Sequence, residues 1–398
     1  MIDFSLDPEL IALRDRVRAF TREVVMPAEQ NDRGTHGPGD DLRRNLQQQA
    51  KRAKLFAPHV SQELGGLGLD TRSMAVVFEE AGYSLLGPHA LNCAAPDEGN
   101  MHLLAHVATA AQREQYLLPL AAGEARSCFS MTEPAPGAGS DPSMLNTRAE
   151  RIDGGWSITG RKVFITGAEG AAFTICMALA PEGATMFLID ADNPGWHVSR
   201  VMDVIDRSFA GGHAEVVFED CRVDDGSVLG VVGDGFRNAQ VRLGSGRLTH
   251  CMRWLGSARR ALDIAIDYTS EREAFGQRLS ESGMVQERIA LSEIEIETSR
   301  LLIWKCAWAL DQGQRAGRES SIAKAYVAEA IGRILDRSVQ MCGGLGVSHD
   351  LPLARLAAEV RPFRIYDGPT ETHLWAIARR AVRDRQSNRA ATGPIPAA

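Results

Sequence analysis

The residue in this chain best placed to do chemistry is Asp367, in the stretch Arg364-Ile365-Tyr366-Asp367-Gly368-Pro369-Thr370. It lies on a Gly-Pro turn between an apolar run ending at Tyr366 and a last helix expected from about Thr370 to Arg380. A carboxylate on such a turn can point into a cleft while its scaffold stays rigid, as a catalytic base requires. The same residue could instead begin the turn or cap the helix. Four further stretches offer complementary groups. Phe129 to Asp141 is a loop of small residues, including Met131, Thr132, Glu133 and Ser140, that can approach a phosphate or a planar polar ring closely, yet no Gly-Lys-Ser/Thr follows it and it is not a P-loop. Lys162 to Ala168 reads as a strand whose alternation sets Phe164 and Thr166 on one face. Arg272-Glu273-Ala274-Phe275-Gly276 places an arginine where it can pair with a pyrophosphate or merely complement a helix end. Gln340-Met341-Cys342-Gly343-Gly344 follows a helical pattern, so its glycines read as a helix C-cap and exclude a Rossmann turn.

These groups need elements to hold them, and periodicity divides the 398 residues into three blocks. Residues 1–125 read as amphipathic helices, beginning behind Asp7-Pro8 with Leu10, Leu13, Val17 and Phe20 at helical spacing. Residues 126–235 carry short β-branched and aromatic segments, at Trp156–Thr159, Val163–Thr166, Phe173–Leu179, Thr185–Ile189 and Glu215–Phe218, which predict a small barrel or sandwich. From 236 to 385 long helices return. Leu248, Met252, Leu255 and Leu262 mark one stripe, and Ile289, Ile296, Ile303 and Leu310 recur every seventh residue with Ser292, Ser299 and Cys306 on the same face, as closely packed bundle helices require. Residues 386–398 read as a flexible tail. A net charge of −7 gives no footprint for nucleic acid or an anionic membrane. Seven scattered cysteines without a CxxC imply neither a disulfide framework nor a zinc site. His102 and His106 share a helix face, but with no third ligand no metal site is expected. The absence of a leader-like start and of a long apolar run makes a soluble, cytoplasmic protein the expectation.

In this order and spacing the five stretches resemble the acyl-CoA dehydrogenase family, and the resemblance covers nearly the whole chain. It implies an α+β multidomain fold: an N-terminal helical domain, a central antiparallel β-barrel and a C-terminal four-helix bundle. It implies FAD as cofactor, with Phe129, Met131, Thr132, Phe164 and Thr166 at the flavin. Ser140 would lie near the FAD pyrophosphate or the CoA. Arg272, Phe275, Gln340 and Gly344 would serve the adenine end across a subunit interface, making the protein a homodimer or homotetramer. Asp367 falls on the base. Arg247 matches an arginine common near the family's active site, and His250, one turn on, could face the acyl pocket. An acyl-CoA would be the substrate and an electron-transferring flavoprotein the acceptor.

The chain also departs from the family pattern. The usual base is Glu, one methylene longer than Asp367, so reach falls by roughly 1.5 Å. Pro369 replaces a Thr or Ser, Ala135-Pro136 lengthens the flavin loop, Phe164 replaces a Trp, and Gly283 occupies a position often held by Gln, a role Gln286 could take. A second base position used by some members is Gly246 here, which cannot serve. The phrase Gly246-Arg247-Leu248-Thr249-His250-Cys251-Met252-Arg253 with Asp-Gly-Pro looks like a subgroup that itself uses Asp. The implied reaction is α,β-dehydrogenation of an acyl-CoA to a trans-2-enoyl-CoA. A nitroalkane or acyl-CoA oxidase of the same fold, or a non-catalytic acyl-binding scaffold, is the alternative.

Overall fold

The computed structural model describes residues 4–31 and 36–392. Four main helices build the N-terminal block: α1 (Pro8–Phe20), α2 (Asp40–Arg52), α3 (Thr71–Ala81) and α4 (Asp97–Val107). The first starts where the sequence predicts, because the Asp7 carboxylate accepts the Glu9 amide at 2.8 Å and Pro8 needs no partner for its missing N–H. Asp70 caps α3 in the same way, accepting from the Ser73 amide.

Seven strands follow: β1 (Ser127–Ser130), β2 (Arg148–Ile152), β3 (Gly155–Thr166), β4 (Phe173–Ala180), β5 (Gly183–Asp190), β6 (Trp196–Val201) and β7 (His213–Asp224). Their order is β1-β4-β2-β3-β7-β6, with β5 added on β4. The expected closed antiparallel barrel is corrected here. Both β1 and β2 run parallel to β4, and among the described residues no pairing joins β6 to β1, so the sheet is mixed and open. The cause is connectivity: the β2–β3 hairpin acts as the crossover between β1 and β4, which lets β4 return in the direction of β1. The two segments Trp156–Thr159 and Val163–Thr166 merge into the single strand β3, bent by irregularities between Ile158 and Gly160 and between Lys162 and Ile165.

The C-terminal block contains α5 (Gly235–Glu271), α6 (Gly283–Asp311), α7 (Gly317–Met341), α8 (Leu353–Val360) and α9 (Thr370–Thr392). Four of these are long, but α8 packs on α7, so the block is more than a bare four-helix bundle. The predicted stripe on α5 is buried throughout, with Leu248, Met252, Leu255 and Leu262 each at most 1% exposed. On α6, Ser292, Ser299 and Cys306 are fully buried as their shared face requires. The last helix runs past both Arg380 and Gln386 to Thr392, correcting the expected flexible tail from 386; the sequence meets its first helix breaker only at Gly393-Pro394, and 393–398 lie outside the described residues.

The N-terminal block is seated directly on α5. A Cβ on Gly82 would fall 1.9 Å from the Arg253 carbonyl oxygen and one on Gly256 would fall 2.0 Å from that of Glu79, so the two segments touch backbone to backbone. Ser257 Oγ seals the contact by donating to the Gly82 carbonyl at 2.7 Å. Around it Glu79 accepts from Arg259 and Arg300, and Glu80 from Arg18 and Arg259. Among the described residues no helix is long and apolar enough to cross a membrane. Because neither backbone can yield, Gly256→Ala should lower unfolding stability by about 2 kcal/mol or more in chemical denaturation, whereas Gly244→Ala, with open space at its Cβ, should not reach that loss.

Candidate active site

The Asp367 turn is fixed by three donors from two helices and its own flank. Arg247 Nε on α5 donates to the Asp367 carbonyl at 2.9 Å, and His373 Nε2 on α9 donates to the same oxygen at 3.2 Å. Lys324 Nζ on α7 donates to the Gly368 carbonyl at 2.6 Å. These bonds hold Asp367 at φ 55° and Gly368 at φ 94°, left-handed conformations that Asp tolerates and Gly favours. Glycine is required at 368 for a second reason, since a Cβ there would meet His373 Nε2 at 2.8 Å. Pro369 fits because it immediately precedes α9, where its carbonyl accepts from Thr372 and His373 and a proline N–H is not missed.

The Asp367 side chain faces α5. A Cβ built on Gly246 would lie 3.6 Å from Asp367 Oδ2, so the glycine leaves the carboxylate room. His250 Nε2 also stands 3.6 Å from Oδ2. Burial, reinforced by Arg253, Arg242 and Lys324, pushes the His250 pKa well below its usual value, so this is a contact of a neutral ring with the carboxylate and not an ion pair. The ring's Nδ1 lies 3.5 Å from the Tyr366 hydroxyl, which itself accepts from Trp254 Nε1 at 2.6 Å. A tautomer with its proton on Nε2 satisfies both sides. His250 therefore stands between the Asp367 carboxylate and the Tyr366 hydroxyl.

Lys324 is the site residue that motif reading missed. It is fully buried, and burial draws its pKa down from 10.5 to about 8. A signal was present: Lys324 interrupts the otherwise apolar face formed by Val327, Ala328 and Ile331. Arg242, one helical turn before Gly246, was missed for want of any motif. It donates from Nε to Asn100 at 2.7 Å and lies 4.2 Å over the Phe129 ring.

Residues expected at the flavin converge on the junction of β1 and β3. Val163 N–H donates to the Thr132 carbonyl at 2.9 Å and Lys162 Nζ to that of Met131 at 3.2 Å, laying the loop along β3. Glu133 anchors it from within, accepting from Lys162 Nζ, the Thr147 hydroxyl and the amides of Ala138, Asn146 and Thr147. Burial alone would raise the Glu133 pKa; the Lys162 charge and the Thr147 hydroxyl overcome it and hold the acid at about 2. Phe164 sits at φ 57° within the β3 irregularity and is 56% exposed, an aromatic face turned outward beside partly exposed Met131 and Thr132. Thr166 Oγ1 bonds His213 Nδ1 at 2.9 Å, and Ser140 is exposed on the loop. An outward aromatic beside a rigid loop of small residues fits a planar isoalloxazine.

Arg272, Phe275, Gln340 and Gly344 are not brought to this cleft within one chain. All four are exposed, and Phe275 is entirely so, at φ 54°. Gly283 has open space around it and Gln286 is exposed nearby. Among the described residues no group of His, Cys, Asp and Glu could hold a metal ion, and His102 and His106 merely pack with ring centroids 4.3 Å apart.

A helical block, a mixed sheet and a second helical block, with a recessed carboxylate and an outward aromatic beside a loop of small residues, have the parts a flavin-dependent oxidoreductase needs. Residues 7–124, 128–221 and 233–382 match the N-terminal, middle and C-terminal domains of acyl-CoA dehydrogenase, and the chain belongs to that family. It is similar to the probable acyl-CoA dehydrogenase FadE2 of Mycobacterium tuberculosis, 39% identical over 98% of this chain and 99% of that one. It is 36% identical to human acyl-CoA dehydrogenase family member 11 over 93% of this chain, spanning about half (50%) of that longer protein. A solved structure of a putative acyl-CoA dehydrogenase from Mycobacterium abscessus superposes with a TM-score of 0.90 at 33% identity, covering 96% of this chain and 100% of that one. The protein is thus an enzyme of the acyl-CoA dehydrogenase kind, and FAD is its cofactor.

Two outcomes follow from the site's electrostatics. Glu133→Gln leaves the Lys162 ammonium buried without its counter-charge and should cost about 3 kcal/mol of stability and accelerate FAD release, read by denaturation and by flavin fluorescence. Lys324 loses its charge as pH rises through about 8, which weakens the bond to the Gly368 carbonyl, so turnover should fall above that pH and Lys324→Gln should be slow but without that alkaline limb. Stability should move oppositely: the folded pKa lies below the unfolded one, so the unfolded chain binds more protons between pH 8 and 10.5 and this group's contribution rises with pH across that window.

Proposed function

We propose that the protein α,β-dehydrogenates an acyl-CoA thioester to the trans-2-enoyl-CoA, with Asp367 as the base. The observation that carries this reading is the Asp367 carboxylate itself, held on a triply anchored turn and facing the side-chain-free position Gly246. Bound FAD supplies the acceptor for the β-hydride; the protein's residues do the rest. Asp367 takes the α-proton onto its carboxylate. Arg247, Lys324 and His373 keep it on the line of approach by holding the two carbonyls behind it. Neutral His250 presents a donor edge to the carboxylate without the full charge that would quench its basicity. A thioester α-proton is a weak acid, so the developing enolate needs donors, and this reading assigns the Asp367 backbone N–H to the thioester carbonyl oxygen.

Phe129, Met131, Thr132, Phe164 and Thr166 would hold the flavin, with Ser140 toward the pyrophosphate or the CoA. The exposed Arg272, Phe275, Gln340 and Gly344 would serve the adenine end of the neighbouring subunit's FAD, which makes a homodimer or homotetramer part of this reading. Full exposure of an aromatic at φ 54° supports it, because water is a poor environment for Phe275 unless another surface covers it. Electron-transferring flavoprotein is the proposed acceptor.

Asp367→Asn should purify yellow with FAD bound, yet its flavin should be reduced anaerobically by acyl-CoA at least about a thousandfold more slowly than the wild type, followed at the ~450 nm band. Reduction at the wild-type rate would remove Asp367 from the role. Rapid peroxide formation in air would move the wild-type enzyme to the oxidase branch.

A further inference from the structure

Several recessed arginines of this fold are paired with carboxylates; beside Asp367, Arg242 and Arg247 are not, and Arg247 is engaged by the Asp367 carbonyl. Arg253 pairs with Glu98, Arg259 with Glu79 and Glu80, and Arg260 with Glu29. Arg242 has no such partner among the described residues. Its Nε donates to the neutral Asn100 side chain, whose own amide donates to Ser127 Oγ, and its plane rests on Phe129. The guanidinium is therefore oriented by α4 and β1 while its two terminal nitrogens are left without a carboxylate. A Cβ on Gly99 would lie 3.5 to 3.6 Å from its stem and head, so α4 passes in van der Waals reach of the arginine. Arg242 stands one helical turn, about 5 Å, from Gly246, the point on α5 that confronts the Asp367 carboxylate. It remains partly accessible.

We infer that Arg242 is the specificity-determining residue of the acyl pocket and that the substrate's acyl chain carries a carboxylate a few bonds beyond its α-carbon. The inference rests on the reading of this cleft as an acyl-CoA site. The geometry favours a carboxylate over other anions. With Nε engaged, the remaining parallel N–H pair at the end of the guanidinium matches two carboxylate oxygens. Burial of a straight hydrocarbon chain against this group would strip water from a cation and return nothing.

The test uses FAD-loaded Asp367→Asn enzyme, which binds without turning over, and two saturated acyl-CoAs of equal length, one ending in a methyl and one in a carboxylate. By calorimetry the carboxylate-ended thioester should bind roughly tenfold or more tightly. Adding Arg242→Gln should bring that ratio near one with FAD content unchanged, and Arg242→Lys should restore part of it. Equal or tighter binding of the methyl-ended thioester, or an equal loss for both in Arg242→Gln, overturns the inference and leaves Arg242 a structural support for Asn100 and Phe129. Flavin bleaching in the wild-type enzyme separates the two readings. Bleaching with a ratio near one sinks only the carboxylate, and a high ratio without bleaching sinks only the dehydrogenation. If neither thioester binds, both fall.

Discussion

Everything at this site depends on two carbonyl oxygens. Those of Asp367 and Gly368 accept from Arg247, His373 and Lys324, and so bind the turn to α5, α9 and α7 at once. A carboxylate on a free loop would sample many positions, and proton abstraction from carbon punishes a misplacement of even an ångström. Asp is a methylene shorter than the Glu common in the family, so less of the required reach is available from side-chain rotation and more must come from the backbone. A turn tied to three helices is the physical answer to that shorter arm. The backbone contact of Gly82 and Gly256 extends the same constraint, since it fixes the part of α5 that presents Gly246, Arg247 and His250.

Charge placement around the turn is equally restrictive. Three cationic side chains, Arg242, Arg247 and Lys324, and one carboxylate, Asp367, share a recess in which burial depresses every one of the cations' pKa values. His250 in that company stays neutral, so the Asp367 carboxylate beside it is not neutralised by a full ion pair. The loop after β1 solves a different problem with the same means. Glu133 and Lys162 bury a complete charge pair beneath the loop, so its small residues and glycines can lie open above without collapsing.

Much of this was legible in the sequence because the carriers were local. Asp367-Gly368-Pro369 announces a turn, the heptad Ile289 to Leu310 announces a packed helix, and Met131-Thr132-Glu133-Pro134 announces a loop against a strand. What escaped was non-local. No periodicity tells that β1 and β4 run parallel, because that depends on which hairpin crosses between them. Strands β1, β2 and β6 were missed: β1 is only four residues long, and three of the six residues of β6 are exposed, which blurs the alternation. Lys324 and Arg242 carry no motif, and their significance appears only when α7 and α5 bring them beside a residue more than forty positions away. The last helix was underestimated because its terminal position and the Gly-Pro-containing end of the chain were read as a tail from 386, although the residues before Gly393 include several good helix formers.

The central claim, that Asp367 removes the α-proton, is tested most directly without the redox step. An acyl-CoA analogue deuterated at the α-carbon, with no transferable hydrogen at the β-position, is incubated with the FAD-loaded enzyme in ordinary water, and loss of the label is followed by proton NMR. The wild-type enzyme should wash the deuterium out and Asp367→Asn should not, with Lys324→Gln in between. Washout by Asp367→Asn at the wild-type rate would mean that another group is the base and that the anchored turn serves some other purpose.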